Sequence, residues 1–250
     1  INGIGMILLP RRLLYSILTV LLLNTSNESS TINAMNINTV IKENKMPRRI
    51  LCLHGRMQSA SIFSTKISGA RRKLERSYEL DFLDGPIIVD TTNKDDSTVV
   101  LRAWWNRDDN KKEFGIDDAI EYVQNEIKNR KPYDAIIGFS QGGTLAAALS
   151  TLNVSNVRAV ITAGAPYSEE ALRIISNKKD NNNDDNMGFS DDTNSIIIPK
   201  LLHFAGENDK MVPIESTREL CNKFGNDNGS LVIHEKGHLF PTRSAHVTTM

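Results

Sequence analysis

Residues 134–148 read Asp-Ala-Ile-Ile-Gly-Phe-Ser-Gln-Gly-Gly-Thr-Leu-Ala-Ala-Ala, so a Gly-x-Ser-x-Gly pentapeptide, Gly138 to Gly142, joins a short apolar run to an alanine-rich stretch. A strand, a sharp turn and a helix in that order are the setting of a nucleophile elbow. The turn needs glycine at both flanks, because a side chain at Gly138 or Gly142 would collide with neighbouring backbone. The helix that begins there aims its amino-terminal dipole at Ser140, and the backbone N–H of Gln141 can face a developing oxyanion. The bare pattern arises by chance in about one chain in ten of this length. The flanking strand and helix are what make it specific.

A serine alone is a weak nucleophile, so the elbow requires an acid and a histidine further along the chain. Of the five histidines, His54 precedes the serine, His203 lies inside an apolar run, His234 ends one, and His246 sits in the carboxyl-terminal tail. His238, in Gly237-His238-Leu-Phe-Pro241, is on a loop after the last apolar run and is the expected base, with His234 its main rival. For the acid, Gly206-Glu207-Asn208-Asp209 follows the run Leu201 to Ala205, and Asp209 reaches further into the turn than Glu207. Asp84, in Leu83-Asp84-Gly85-Pro86, has an ordinary turn reading. The second oxyanion donor is expected from the loop after the first strand, Leu53-His54-Gly55-Arg56-Met57, as the N–H of Arg56 or of Met57. His54 reads as structural, with a place near the substrate pocket. The only tryptophans, Trp104 and Trp105, are candidates for an acyl-binding wall or for plain core.

Short apolar runs at 50–53, 80–83, 135–138, 159–162, 201–205 and 231–234 alternate with helical spacing over 116–130 and 144–152. That pattern predicts an α/β fold, a mostly parallel wound sheet with helices on both faces. A length of 250 residues, 40% of them hydrophobic, suits one such domain over 47–250. The tract 177–193, NKKDNNNDDNMGFSDDT, has too little apolar surface to offset the entropy of ordering it and is expected to be a disordered insertion. Residues 89–98, with Asp90, Asp95 and Asp96, read as a second solvated loop. Cys52 and Cys221 do not make a disulfide framework, and Cys52, between Leu51 and Leu53, reads as an inert small hydrophobe.

Thirty basic residues balance thirty acidic ones, which gives no electrostatic footprint for nucleic acid or an anionic membrane. Arg11 and Arg12 precede the apolar run Leu13 to Leu23, the layout of a secretory or organellar leader, too short for a transmembrane helix. The alternative is translated upstream sequence before a start at Met46, which would leave the product in the cytoplasm. Residues 1–46 are in either case expected to lie outside the fold.

Six segments occur together in the order seen in one family: Ile50-Leu-Cys-Leu-His54-Gly55, Phe82-Leu-Asp84-Gly85-Pro86, Arg102-Ala-Trp104-Trp105, Gly138-Phe-Ser140-Gln-Gly142, Gly206-Glu-Asn-Asp209 and Gly237-His238-Leu-Phe-Pro241. In them the chain, from about Pro47 to Pro241, resembles the FSH serine hydrolases of the α/β-hydrolase superfamily. Gly-Phe-Ser-Gln-Gly is shared with acyl-protein thioesterases; Leu-Asp-Gly-Pro and Arg-Ala-Trp-Trp look specific to the FSH group. The resemblance implies Ser140, Asp209 and His238 as a triad that cleaves carboxylic esters or thioesters of acyl chains. It implies no metal and no organic cofactor, and a small acyl ester or thioester as the partner. The rival expectations are a lysophospholipase-like or protein-depalmitoylating thioesterase with the same chemistry, and an inactive hydrolase fold used for binding.

Overall fold

The computed structural model describes residues 48–94, 97–110, 112–130, 132–152, 157–173, 199–241 and 247–249. Along the chain come β1 (Arg48–Leu53), α1 (Ala60–Lys66), α2 (Ser68–Leu74), β2 (Tyr78–Leu83), β3 (Ile87–Lys94), β4 (Ser97–Ala103), β5 (Asn106–Arg107), β6 (Glu113–Phe114), α3 (Ile116–Lys128), β7 (Ala135–Phe139), α4 (Gln141–Leu149), β8 (Ala159–Ala163), β9 (Lys200–Gly206), α5 (Ile214–Asn222), α6 (Gly225–Asn228), β10 (Gly229–His234) and β11 (Val247–Thr249). Seven strands form the main sheet in the order β2-β1-β7-β8-β9-β10-β11, and only β11 at its edge runs antiparallel.

Alternation along each strand divides the core between the two faces. Leu51, Leu53, Ile136, Val160 and Leu201 pack with α3 and α4, while Ile50, Cys52, Ala135, Ile137 and Ile161 pack with Phe63 of α1 and Leu74 of α2. A strand covered on both faces must be apolar throughout, which is why the inner strands read as unbroken apolar runs. α3 buries Ile116, Ala119, Ile120, Val123 and Ile127, a stripe at helical spacing, and keeps its acidic first turn outward. α4 is buried at every position, and its glycines and alanines let it lie close against β7 and β8.

From β1 the chain steps outward to β2, then crosses back to β7 on the other side of β1 and continues outward through β8, β9 and β10. The reversal opens a crevice at the carboxyl ends of β1 and β7, where ligands of wound α/β sheets bind. The loop after β1 and Ser140 after β7 meet there. Asp209 and His238 leave the carboxyl ends of β9 and β10 on the same edge.

All six strands expected from the apolar runs are present. The expectation of a solvated loop over 89–98 is corrected: residues 87–94 and 97–103 are the two strands of an antiparallel hairpin, with a register shift between Ile88 and Asp90. Ile87-Ile-Val and Thr98-Val-Val-Leu supply the β-branched content that favours a strand, and the aspartates mask it. The acidic tract 177–193, residues 1–46 and His246 lie outside the described residues. Cys52 and Cys221 are both free and buried, and burial, more than the nearby Asp81 carboxylate, pushes the Cys52 thiol pKa far up.

Inside the sheet, His203 of β9 is wholly buried and its Nδ1 lies 2.8 Å from the hydroxyl of Thr162 on β8. Burial alone lowers its pKa from 6.5 to about 4. Between those limits the unfolded chain binds the proton that the folded protein refuses, so stability falls as pH is lowered through the window, by up to about 1.4 kcal/mol per unit. The urea midpoint of the protein is therefore expected to drop more from about pH 7 to about pH 5 than that of His203→Asn. Equal drops would remove His203 as a source of acid sensitivity.

Candidate active site

Ser140 sits between β7 and α4 at φ 52° and ψ −121°, a positive φ that a residue with a side chain adopts only under constraint, at a cost of about 1–3 kcal/mol. The constraint is visible. Ser140 N–H donates to the Ala163 carbonyl of β8 at 2.9 Å, and its own carbonyl accepts from Gly143 and Thr144 at 2.8 and 3.1 Å. α4 can start this close to the sheet because Gly142 has no side chain: a Cβ there would lie 2.4 Å from the His54 carbonyl oxygen, and one at Gly138 would lie 2.2 Å from the Gly142 oxygen. Both glycines of the pentapeptide are thus steric requirements. The serine is half-buried at the carboxyl end of β7.

Asp209 and His238 are brought together. His238 Nδ1 lies 2.6 Å from Asp209 Oδ2, with the two side chains 13% and 1% exposed. A carboxylate only accepts, so Nδ1 carries the proton and Nε2 is left free to accept. The imidazole packs on the ring of Phe139, the residue before Ser140, with centroids 4.8 Å apart. The aspartate is aimed by its own turn: its other oxygen accepts from the N–H groups of Met211 and Val212 at 2.8 and 2.9 Å. Asn208 joins the two loops, donating its amide N–H to the Lys236 carbonyl at 3.2 Å and its side-chain N–H to the Glu235 carbonyl at 2.6 Å. The rivals fall elsewhere. Glu207 is exposed, and His234 is buried with its Nδ1 accepting from Lys236 N–H at 3.3 Å and its pKa lowered by burial. Asp84 accepts from Ala60 N–H at 2.8 Å, the first amide of α1, whose N-cap is Ser59.

The loop after β1 touches the elbow, for a Cβ at Gly55 would stand 3.3 Å from Ser140 Cβ. Met57, with φ 59°, donates its N–H to the Arg102 carbonyl of β4 at 2.9 Å. That amide is occupied, and of the two donors expected here Arg56 is left. His54 is fully buried; its Nε2 accepts from Gly85 N–H and its Nδ1–H donates to the Gly55 carbonyl, both at 2.8 Å. With both nitrogens placed in a neutral ring, and burial lowering its pKa, His54 braces the loop. Trp104 donates from Nε1 to the His54 carbonyl at 2.7 Å. Trp104 and Trp105 are 0% and 1% exposed and belong to the core cluster shared with α3 and α4, so neither presents a wall to solvent.

Two contributors carry no signal in the sequence pattern. Asn208 reads as one more residue of a polar turn. Gln141 is legible only through its backbone, yet its side chain accepts from Trp104 N–H at 3.0 Å and donates to the Trp105 carbonyl at 2.9 Å. Among the described residues no cluster of three His, Cys, Asp or Glu is placed to hold a metal ion, and no helix is long and apolar enough to cross a membrane.

The family model described as Serine hydrolase (FSH1) matches residues 44–250. The chain is similar to Esterase OVCA2 of Danio rerio, at 29% identity over 233 residues that cover 82% of this chain and 95% of the relative. It is similar also to Family of serine hydrolases 2 of Saccharomyces cerevisiae, at 27% identity with 81% and 95% covered. Among solved structures, the crystal structure of esterase PE8 superposes with a TM-score of 0.56 at 14% identity, covering 78% of this chain and 86% of the other, a likeness of fold. With a wound sheet, a strained serine directly after β7 and a match over most of its length, this chain belongs to the FSH1 family of serine hydrolases.

Proposed function

We propose that the protein hydrolyses carboxylic esters or thioesters of acyl chains through a Ser140–His238–Asp209 triad. The observation that carries this reading is the 2.6 Å contact between His238 and Asp209, held against Phe139 beside the strained Ser140. His238 Nε2 takes the Ser140 proton as Oγ attacks the substrate carbonyl. The tetrahedral oxyanion is met by the N–H groups of Gln141 and Arg56, and collapse expels the alcohol or thiol, protonated by His238. Water, deprotonated by the same imidazole, then releases the acid from the acyl-enzyme. Asp209 holds the tautomer and stabilises the imidazolium; with Met211 and Val212 N–H also bonded to it, it stays fixed through the cycle.

Apolar side chains exposed on the loops that bear these groups favour an acyl substrate. Met57 follows the oxyanion loop, Met211 the acid and Leu239 the base, at 43%, 75% and 39% exposure. Exposed apolar side chains on loops that carry a reactive centre are what an acyl chain would cover. The names of the relatives, esterases among them, agree with the reading.

The experiment combines a fluorophosphonate probe with p-nitrophenyl ester hydrolysis. Label is expected on the Ser140 peptide alone, and Ser140→Ala is expected to lose label and at least about a thousandfold in kcat/KM while keeping its unfolding midpoint. Turnover retained by Ser140→Ala would overturn the assignment. Asp209→Asn is expected to keep its fold and lose about 10³–10⁴ in kcat, because the amide leaves His238 in the wrong tautomer. A loss under about tenfold would point to a different acid.

A further inference from the structure

The carbonyl oxygen of Trp105 receives two side-chain donors, Gln141 Nε2 at 2.9 Å and Arg56 Nη1 at 3.1 Å. These are the same residues whose backbone N–H groups are assigned to the oxyanion in the proposed function, on which this inference rests. Gln141 also accepts from Trp104 N–H, so its amide grips the 104–105 segment at two points, and its side chain is buried. Trp105 is fully buried, so no water competes for that carbonyl at its surface.

Each donor comes from a backbone under strain. Gln141 follows Ser140 at φ 52°, and Arg56 precedes Met57 at φ 59°; these are the only positive-φ residues other than glycine among those described. Such conformations persist only where surrounding bonds over-determine them. An oxyanion hole works only when its donors stand about 2.7–3.1 Å from the developing charge, so relaxation of either turn by a few tenths of an ångström weakens it. The two turns belong to different loops, and each is tethered to Trp105 through the side chain of the donor residue itself.

We propose that the Trp105 carbonyl is a bridge that sets the width of the oxyanion hole, with Gln141 and Arg56 acting as positioning residues through it. The Arg102-Ala-Trp104-Trp105 segment then has a purpose beyond bulk. Trp104 holds the His54 carbonyl, Arg102 holds Met57, and Trp105 couples the halves of the hole.

The test is a double-mutant cycle with Gln141→Met, Arg56→Met and the pair, measuring KM, kcat per fluorophosphonate-titrated serine, and inhibition by an alkyl boronic acid that forms a tetrahedral adduct. Each single variant is expected to lower kcat per active serine by about tenfold to a hundredfold, with KM within about twofold and boronate affinity falling in parallel. The double variant is expected to fall well short of the product of the singles, since the first change already breaks the bridge. If Gln141→Met fails to fold, Gln141→Glu, isosteric and still able to accept from Trp104, carries the same expectation. Effects that multiply, or kcat per active serine that stays unchanged, would overturn the bridge. Labelling of the unaltered protein at Ser140 tests the underlying triad separately, so the two can fail independently.

Discussion

The placing of Ser140 depends on α4 beginning within van der Waals reach of the loop after β1. Gly142 lies so near the Leu53 and His54 carbonyls that no side chain fits between them, and that approach forces Ser140 into its positive φ. The strain is offset by burial: α4 is enclosed over its whole length by small side chains, and the inner strands beneath it are apolar on both faces. A local conformation costing a few kcal/mol is affordable only on a scaffold this well packed. The fold thus holds Ser140 half-buried in a strained turn, with local strain offset by the packing of the sheet and its helices.

The order in which the chain lays down its strands reverses between β1 and β7, which run parallel, and the remaining strands are added outward from there. Ser140, Asp209 and His238 therefore appear in the chain in the same sequence in which their strands lie across the sheet. Hydrogen bonds from Asn208 to the backbone at 235 and 236 tie the acid and base loops together, so their mutual placement does not rely on the elbow. The elbow in turn is held from the other side by Gln141, His54 and the tryptophan pair. The site is assembled from separately braced halves that meet over Phe139 and Ser140.

Much of this was legible in the residues. Buried parallel strands announce themselves as apolar runs because both faces are covered, and all six were found from that alone. The elbow was legible because its glycines answer a steric demand local to five residues. Asp209 and His238 could be singled out because each stands on a turn after a strand end, and the structure sets their side chains 2.6 Å apart. The hairpin β3–β4 was not, because its apolar stretches, 87–89 and 99–101, are short and the aspartates between them resemble a loop. Nor could spacing choose between Arg56 and Met57. The one difference the structure adds is that the Met57 amide meets the Arg102 carbonyl, a contact between residues 45 positions apart. The tryptophans were open to two readings, and their full burial follows from packing under α3 and α4, which composition does not encode.

The proposed mechanism requires that turnover pass through an ester bond to Ser140. Rapid acid quench of the protein during hydrolysis of a slowly deacylated substrate, followed by mass spectrometry of its peptides, tests that directly. An acyl mass is expected on the peptide containing Ser140, appearing before steady-state release of acid and absent from Ser140→Ala. Undiminished turnover with no adduct, or an adduct on a different residue, would contradict it.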